Sequence, residues 1–353
     1  MEPFNPSEPL SSDFGIFGLP TKRHKADVIL IPVPWEVTTS YGSGTSRGPE
    51  AIRQASTQID LFDIELGKVY VPGFYMEPIN QKILELNNEL KPLAQRVKKE
   101  LEHRTLSDQG VDDQNRVNRG CEEMIDWVYQ GTKRIIVNEK KLVGILGGDH
   151  SSPLGAIKAI AENLPKDYAI IHIDAHADLR TAYMGFTYSH ASIMYNVMTS
   201  DYAPKKLVQV GVRDFCWEEA DFIQRDDRIH SVFDNDIKRR LYGGETWQAI
   251  CEDILYGLPE SIYISIDIDG LSPDHCPHTG TPVPGGLEFS QLLYLLRLLG
   301  QSGRTIVGFD LSEVCPGPSG DEWDGNVGAR LLYKLCGWSV VTRGLHPVPI
   351  NRR

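Results

Sequence analysis

The chain has 353 residues, 41% hydrophobic and 24% charged, which is long enough for a large core and ordinary for a globular protein. Its formal net charge of −12, without a basic stripe, argues against a nucleic-acid partner. No run of about eighteen apolar residues is present to span a membrane. The six cysteines, at positions 121, 216, 251, 276, 315 and 336, form no CxxC pair, which argues against a zinc knuckle and a disulfide framework. Residues 1–20 are acidic and proline-rich, without a basic-then-apolar leader pattern, so the cytoplasm is the expected compartment.

After an N-terminal extension (1–25), the first apolar run is DVILIPVPW (27–35). The stretch 60–140 is poor in strands. It reads as helix over 79–103, an exposed connection over HRTLSDQGVDDQNRVNRG (103–120), and helix again over 121–139. From there strands and helices alternate: KLVGILGG (141–148), helix 151–163, YAIIHID (168–174), KLVQVGV (206–212), helix 244–257, SIYISIDID (261–269), helix 288–299 and RTIVGFDLSEV (304–314). The strand runs are continuously apolar, as parallel strands covered on both faces are. The expectation is one α/β domain over 1–353 with a mainly parallel central sheet.

In such a sheet, chemistry gathers at the carboxyl ends of the strands. The 141–148 run ends in Asp149 and His150. YAIIHID runs into Asp174, His176 and Asp178, at i, i+2 and i+4, which share one face of an extended backbone. SIYISIDID ends in Asp267 and Asp269, and RTIVGFDLSEV ends in Asp310 and Glu313. One aspartate at a strand end is an ordinary exposed residue; four strands ending this way are not easily independent accidents. His150, Asp174, His176, Asp178, Asp267 and Asp269 make an oxygen-rich, thiolate-free set that suits manganese, with nickel or iron as further candidates. Four carboxylates are too many for one divalent ion but balance two, and a pair about 4 Å apart can share a water and lower its pKa. Metal-assisted hydrolysis is the reaction class implied.

In their order, GGDHS, DAHAD, SIDIDGLSP and TGTPVPGG resemble the ureohydrolase family of arginases and agmatinases, and the N-terminal PWEVTTSYGSGTSRGPEAIR (34–53) is closest to agmatinase-type members. The resemblance covers most of the chain and is weakest over 60–140. It implies a three-layer αβα fold, two Mn2+ per subunit (Ni2+ is accepted by the same ligands) on the six residues above, and homo-oligomers, usually trimers or hexamers. It also implies a catalytic pair. Glu313 would pair with the planar guanidinium, as a carboxylate can with two parallel N–H bonds. His190, in YSHAS, would hand a proton to the leaving amine, as an imidazole titrating near the working pH can. Relatives often have His-Gly where this chain has His190-Ala191.

Two departures from arginases bear on the substrate. The loop after the Asp-x-His-x-Asp triplet, LRTAYMGFTYS, has no clear SGN signature of their Asn- and Ser/Thr-rich anchor for an α-carboxylate. In GVRDFCWEE, Cys216 stands where they carry the acid that meets an α-amino group. Arg180, Tyr183, Phe186, Tyr188 and Trp217 are the candidates to enclose a substrate tail. Agmatine, giving urea and putrescine in polyamine metabolism, is the first choice, ahead of free guanidine, guanidinobutyrate, arginine and formiminoglutamate. His172 reads chiefly as a satisfied core histidine, His275 and His278 as loop histidines that could line a pocket mouth, and Asp149 as a residue orienting His150. Binuclear metallophosphoesterases share Asp-x-His and Gly-Asp motifs, but in another order and with a later Asn-His pair that this chain lacks. A catalytically dead assembly subunit would be expected to lose a ligand, and all six are present.

Overall fold

The computed structural model describes residues 15–164, 167–318 and 321–347, so residues 1–14 of the expected N-terminal extension lie outside the described residues. Eight strands form one sheet: β1 (Val28–Pro32), β2 (Phe74–Met76), β3 (Leu142–Leu146), β4 (Tyr168–Ile173), β5 (Lys206–Val210), β6 (Ile229–Val232), β7 (Ser261–Asp267) and β8 (Thr305–Ser312). Their order is β2-β1-β3-β8-β7-β4-β5-β6, and each neighbouring pair is parallel.

Alternate side chains of these strands feed two cores. Leu142, Ile171 and Ile264 face one, with α1 (Gly48–Ala55), α7 (Asp234–Tyr242), α8 (Trp247–Leu255), α9 (Phe289–Gln301) and α10 (Trp323–Thr342) packed over it. Val143, Ile170 and Tyr263 face the other, covered by α2 (Gln81–Glu102), α3 (Asp108–Lys133), α4 (Leu154–Ala161), α5 (Ile193–Met198) and α6 (Trp217–Arg225). The result is the three-layer αβα arrangement, and the continuous apolar runs follow from it: every position along a central strand meets a helix layer.

Three features differ from the sequence reading. The edge strands β2 and β6 were not expected; they are short, and Ile229–Val232 is buried only at its ends. The segment 103–120 is not an exposed connection, since α3 begins at Asp108 with Ser107 as its cap, Oγ accepting the Gly110 N–H at 3.0 Å. Its buried stripe runs through Gly110, Asp113, Val117, Gly120 and Cys121, small or polar residues that carry little hydrophobic signal. Third, β4 ends at Ile173, so the Asp174-His176-Asp178 triplet lies in the loop beyond the strand.

Candidate active site

The four central strands, β3, β8, β7 and β4, are neighbours in the sheet, so their carboxyl ends open onto one place. The β3 end is set by Gly148, where a Cβ would stand 1.9 Å from the Trp35 carbonyl oxygen; this close approach lets the Asp149 N–H donate to that oxygen at 2.7 Å. His150 follows directly. At the β7 end, Asp267 accepts the Asp269 N–H at 2.9 Å and so turns the backbone that carries Asp269. Asp178 and Glu313 both have left-handed backbones, with φ of 55° and 62°, an unusual conformation for residues with a Cβ.

All six candidate ligands meet here, in two groups. Around His150 Nδ1 stand Asp174 Oδ2 at 3.0 Å, Asp178 Oδ2 at 3.1 Å and Asp267 Oδ2 at 3.6 Å. Around His176 Nδ1 stand Asp269 Oδ2 at 3.1 Å and Asp174 Oδ1 at 3.5 Å. Asp174 belongs to both, one oxygen to each. Asp178 Oδ2 is buried and has no hydrogen-bond partner despite its nearness to the imidazole. Imidazole nitrogen and carboxylate oxygen atoms about 3 Å apart suit ligation of a common divalent ion, although His150 Nδ1 and Asp174 Oδ2 are also within hydrogen-bond distance.

The electrostatics agree with that fit. Burial, then the neighbouring Asp269, Asp174 and Glu313 charges, drive the Asp267 carboxyl well above the usual range. Burial, followed by Asp149 and Asp269, does the same to Glu313, whose Oε2 is buried without a partner. Asp178 is pushed up to about 6 by burial and by Asp174. This many buried carboxylates call for added positive charge.

A cleft of about 470 Å³ opens onto the cluster. His150, His176, Asp178 and Asp267 line it together with His190, Ser40, Tyr41, Arg180, Tyr183 and Asp214. Asp174, Asp269 and Glu313 are buried beneath. Of the five residues expected to enclose a tail, Arg180 and Tyr183 do line the cleft. Phe186 is fully buried in the core, Tyr188 packs against that core, and Trp217 is 75% exposed outside the lining. Arg180 lies 5.1 Å over the Tyr183 ring and 3.6 Å from Glu219 Oε2.

His190 sits in the cleft wall, its backbone N–H donating to Thr38 Oγ1 at 3.2 Å and its Nε2 3.5 Å from Ser40 Oγ. It is not the near-neutral imidazole expected. Burial first, then the charges of Lys98, His176 and His150, push it down to about 3, so its resting form is neutral. Asp149 also differs from expectation: it accepts from Ser151 and Thr38 and makes no bond to the His150 ring. That ring is oriented by Ser265 Oγ, 2.9 Å from Nε2, which in turn donates to Asp310 at 3.1 Å. His172 is more than a core histidine, since its Nε2 lies 2.8 Å from Asp174 Oδ2. The strand alternation from His172 to Asp174 was the available signal; Thr38 and Ser265 carried none. His275 and His278 stand away from the lining, bonded to Glu288 and Asp324.

Fold and site together define a hydrolase acting on amidino C–N bonds. The Arginase family profile matches residues 26–337, and the chain belongs to that family as a ureohydrolase. The N(1)-aminopropylagmatine ureohydrolase of Synechocystis sp. is 30% identical over 322 residues, 90% of each chain. The agmatinase of Pyrococcus horikoshii is 28% identical, covering 91% of this chain and 95% of its own. Among solved structures, the proclavaminate amidino hydrolase of Streptomyces clavuligerus aligns with a TM-score of 0.71 at 24% identity, over 95% of this chain and 100% of its own. The agmatine ureohydrolase of Thermoplasma volcanium aligns with a TM-score of 0.68 at 22% identity, over 92% of this chain and 94% of its own. The family is binuclear-metal dependent, and the buried His/Asp groups described above supply suitable donors. No helix among the described residues is long and apolar enough to cross a membrane.

Proposed function

We propose that this site hydrolyses a small guanidino compound without an α-amino acid head, agmatine first, to urea and an amine. The observation that carries the reading is Asp174, whose two oxygens serve two separate donor groups at the foot of one cleft. His150, Asp174, Asp178 and Asp267 would hold one ion, and His176, Asp174 and Asp269 the other. Manganese is the preferred metal, given four carboxylates, two imidazoles and no thiolate. Two such ions supply Lewis acidity that brings a water's pKa toward neutrality.

The remaining work falls to the chain itself. The buried, unpartnered Glu313 Oε2 is an acceptor that a guanidinium N–H would satisfy, fixing the planar cation and offsetting its charge. Water adds to the central guanidino carbon, the bond from that carbon to the substituted nitrogen breaks, and the departing amine takes a proton. His190 is the cleft residue assigned to carry that proton; its neutral resting form is ready to accept one and a strong donor once protonated.

Substrate choice follows from unmatched polar groups. Glu219, a buried acid on the cleft lining outside the two donor groups, already accepts the Leu179 and Cys216 N–H groups at 3.0 and 2.8 Å and faces Arg180. It is therefore committed and not free to meet an α-ammonium group. Asp214, an exposed carboxylate on the lining, suits the distal amine of agmatine. The relatives named for agmatine and aminopropylagmatine support the same class. Arg180 favours a second reading, a guanidino acid whose carboxylate meets that guanidinium. The test is kcat/KM for agmatine, aminopropylagmatine, arginine, 4-guanidinobutyrate and free guanidine, with manganese and then nickel. Arginine as the best substrate overturns the reading, and 4-guanidinobutyrate as the best establishes the Arg180 alternative. Free guanidine as the best keeps the chemistry and reassigns Tyr183 to closing the cleft.

A further inference from the structure

We propose that Lys98, on α2, is a positioning residue for His190, acting through the Thr38–Ser40 segment wedged between them. The inference rests on the proton-carrying role given to His190 above, and it gives a task to the helical segment that the family motifs do not reach.

Three consecutive residues make the link. Lys98 Nζ donates to the Thr39 carbonyl oxygen from α2. The flanking hydroxyls belong to the site: Thr38 Oγ1 accepts the backbone N–H of His190 at 3.2 Å and donates to Asp149 at 3.4 Å, and Ser40 Oγ lies 3.5 Å from His190 Nε2. Thr38 is 1% exposed and Lys98 8%, so both ends of this link are buried, while Ser40 is exposed at the cleft. The same helix grips the start of the segment, where Asn87 Oδ1 accepts the Glu36 N–H at 2.8 Å and Lys91 Nζ donates to Glu36 Oε1 at 2.5 Å.

A buried ammonium is a costly way to satisfy one carbonyl group, because its hydration is lost in a desolvated site. Here the charge has further partners. Burial pulls the Lys98 amine down to about 8, while the buried Asp149 carboxylate acts to hold its proton. Lys98 is also the foremost charge, after burial, that keeps the His190 imidazole neutral. One side chain thus fixes the loop that places the imidazole and adds its charge to the burial that keeps that imidazole neutral. His190 Nδ1 is buried without a hydrogen-bond partner, so the ring has few other restraints.

The experiment is a double-mutant cycle on the manganese-loaded enzyme with its best substrate. Lys98→Met is expected to lower kcat about tenfold and leave KM within about twofold, while Lys98→Arg, which keeps a charged donor, recovers most of the loss. In the His190→Ala background Lys98→Met should cost nothing more, because its effect passes through the imidazole. Metal content and melting temperature are measured on each variant. If Lys98→Met does not fold, Lys98→Gln, which retains one N–H donor, replaces it in the cycle. Equal losses in the wild-type and His190→Ala backgrounds overturn the proposal, as does a change in KM alone. If His190→Ala keeps full turnover, the proton-carrying role and this inference fall together, while metal-dependent urea release in the same assay leaves the hydrolase reading standing.

Discussion

Glu313 Oε1 accepts the backbone N–H of His150 at 3.1 Å, tying the end of β8 to the end of β3, while Oε2 of the same carboxylate has no partner. One oxygen is structural and the other is free for a ligand. Glu313→Gln keeps the acceptor and removes the charge. The expected outcome is a fall in kcat/KM of roughly ten- to a hundredfold, the worth of a hydrogen bond to a charged group, with metal content unchanged. Steady-state kinetics beside metal analysis checks this, and an unaltered kcat/KM would remove Glu313 from substrate binding.

Because Asp174 is shared, its loss should differ from that of Asp178. Asp174→Asn is expected to abolish activity and deplete both ions, whereas Asp178→Asn depletes chiefly the ion beside His150. Chelation should also lower the melting temperature of the wild type, since an ion at about a thousand times its Kd contributes about 4 kcal/mol. Elemental analysis and a thermal scan with and without chelator decide it. Full activity in metal-stripped protein would sink the two-ion reading.

His190→Ala is expected to retain its metals and to lose about 10²-fold or more in kcat, the usual share of positioned proton transfer. Added imidazole should restore part of the rate. Unchanged turnover would leave solvent as the proton source.

Glu36 and Lys91 give a prediction separate from the metal cluster. Burial works to raise the Glu36 carboxyl, but Lys91, the Gly44 N–H and Ser46 outweigh it and hold the group below its usual 4.5. A depressed folded-state pKa stabilises above the unfolded value, and that stability is lost as pH falls through the folded one. Lys91→Met strands a buried carboxylate and should cost about 3 kcal/mol near pH 7. The difference from wild type should shrink on acidification below about 4.5, where an unfolded carboxyl takes up its proton. Urea denaturation of both proteins at pH 7 and pH 4 is the measurement; a pH-independent difference would contradict it.

The site was legible in the sequence where chemistry and burial coincide. His150, Asp174, Asp267 and Glu313 each stand at the end of an apolar run that a central, doubly covered strand requires, and aspartate or histidine there is conspicuous. The supports were not legible. Thr38 and Ser265 are common residues whose roles come from partners 152 and 115 positions away. Phe186 and Trp217 showed the opposite failure: an aromatic near a motif says nothing of which way the loop turns. The first half of α3 hid because glycine and polar residues make its packing face, with Gly120 placed so that a Cβ would come 2.0 Å from Leu90 Cδ1. Close helix contact needs small residues, and small residues read as loop.

The left-handed backbones of Asp178 and Glu313 set stability and function against each other at the level of single codons. Glycine takes that conformation without a steric penalty, whereas a residue with a Cβ gives up roughly 1 kcal/mol or more. Glycine at Asp178 would relieve that strain while removing a carboxylate from the cleft, whereas at Glu313 it would also leave the buried His150 N–H without its acceptor, offsetting the gain. A screen for heat resistance alone would thus press on Asp178, where only the chemistry speaks for a carboxylate, and spare Glu313, whose Oε1 the fold itself uses.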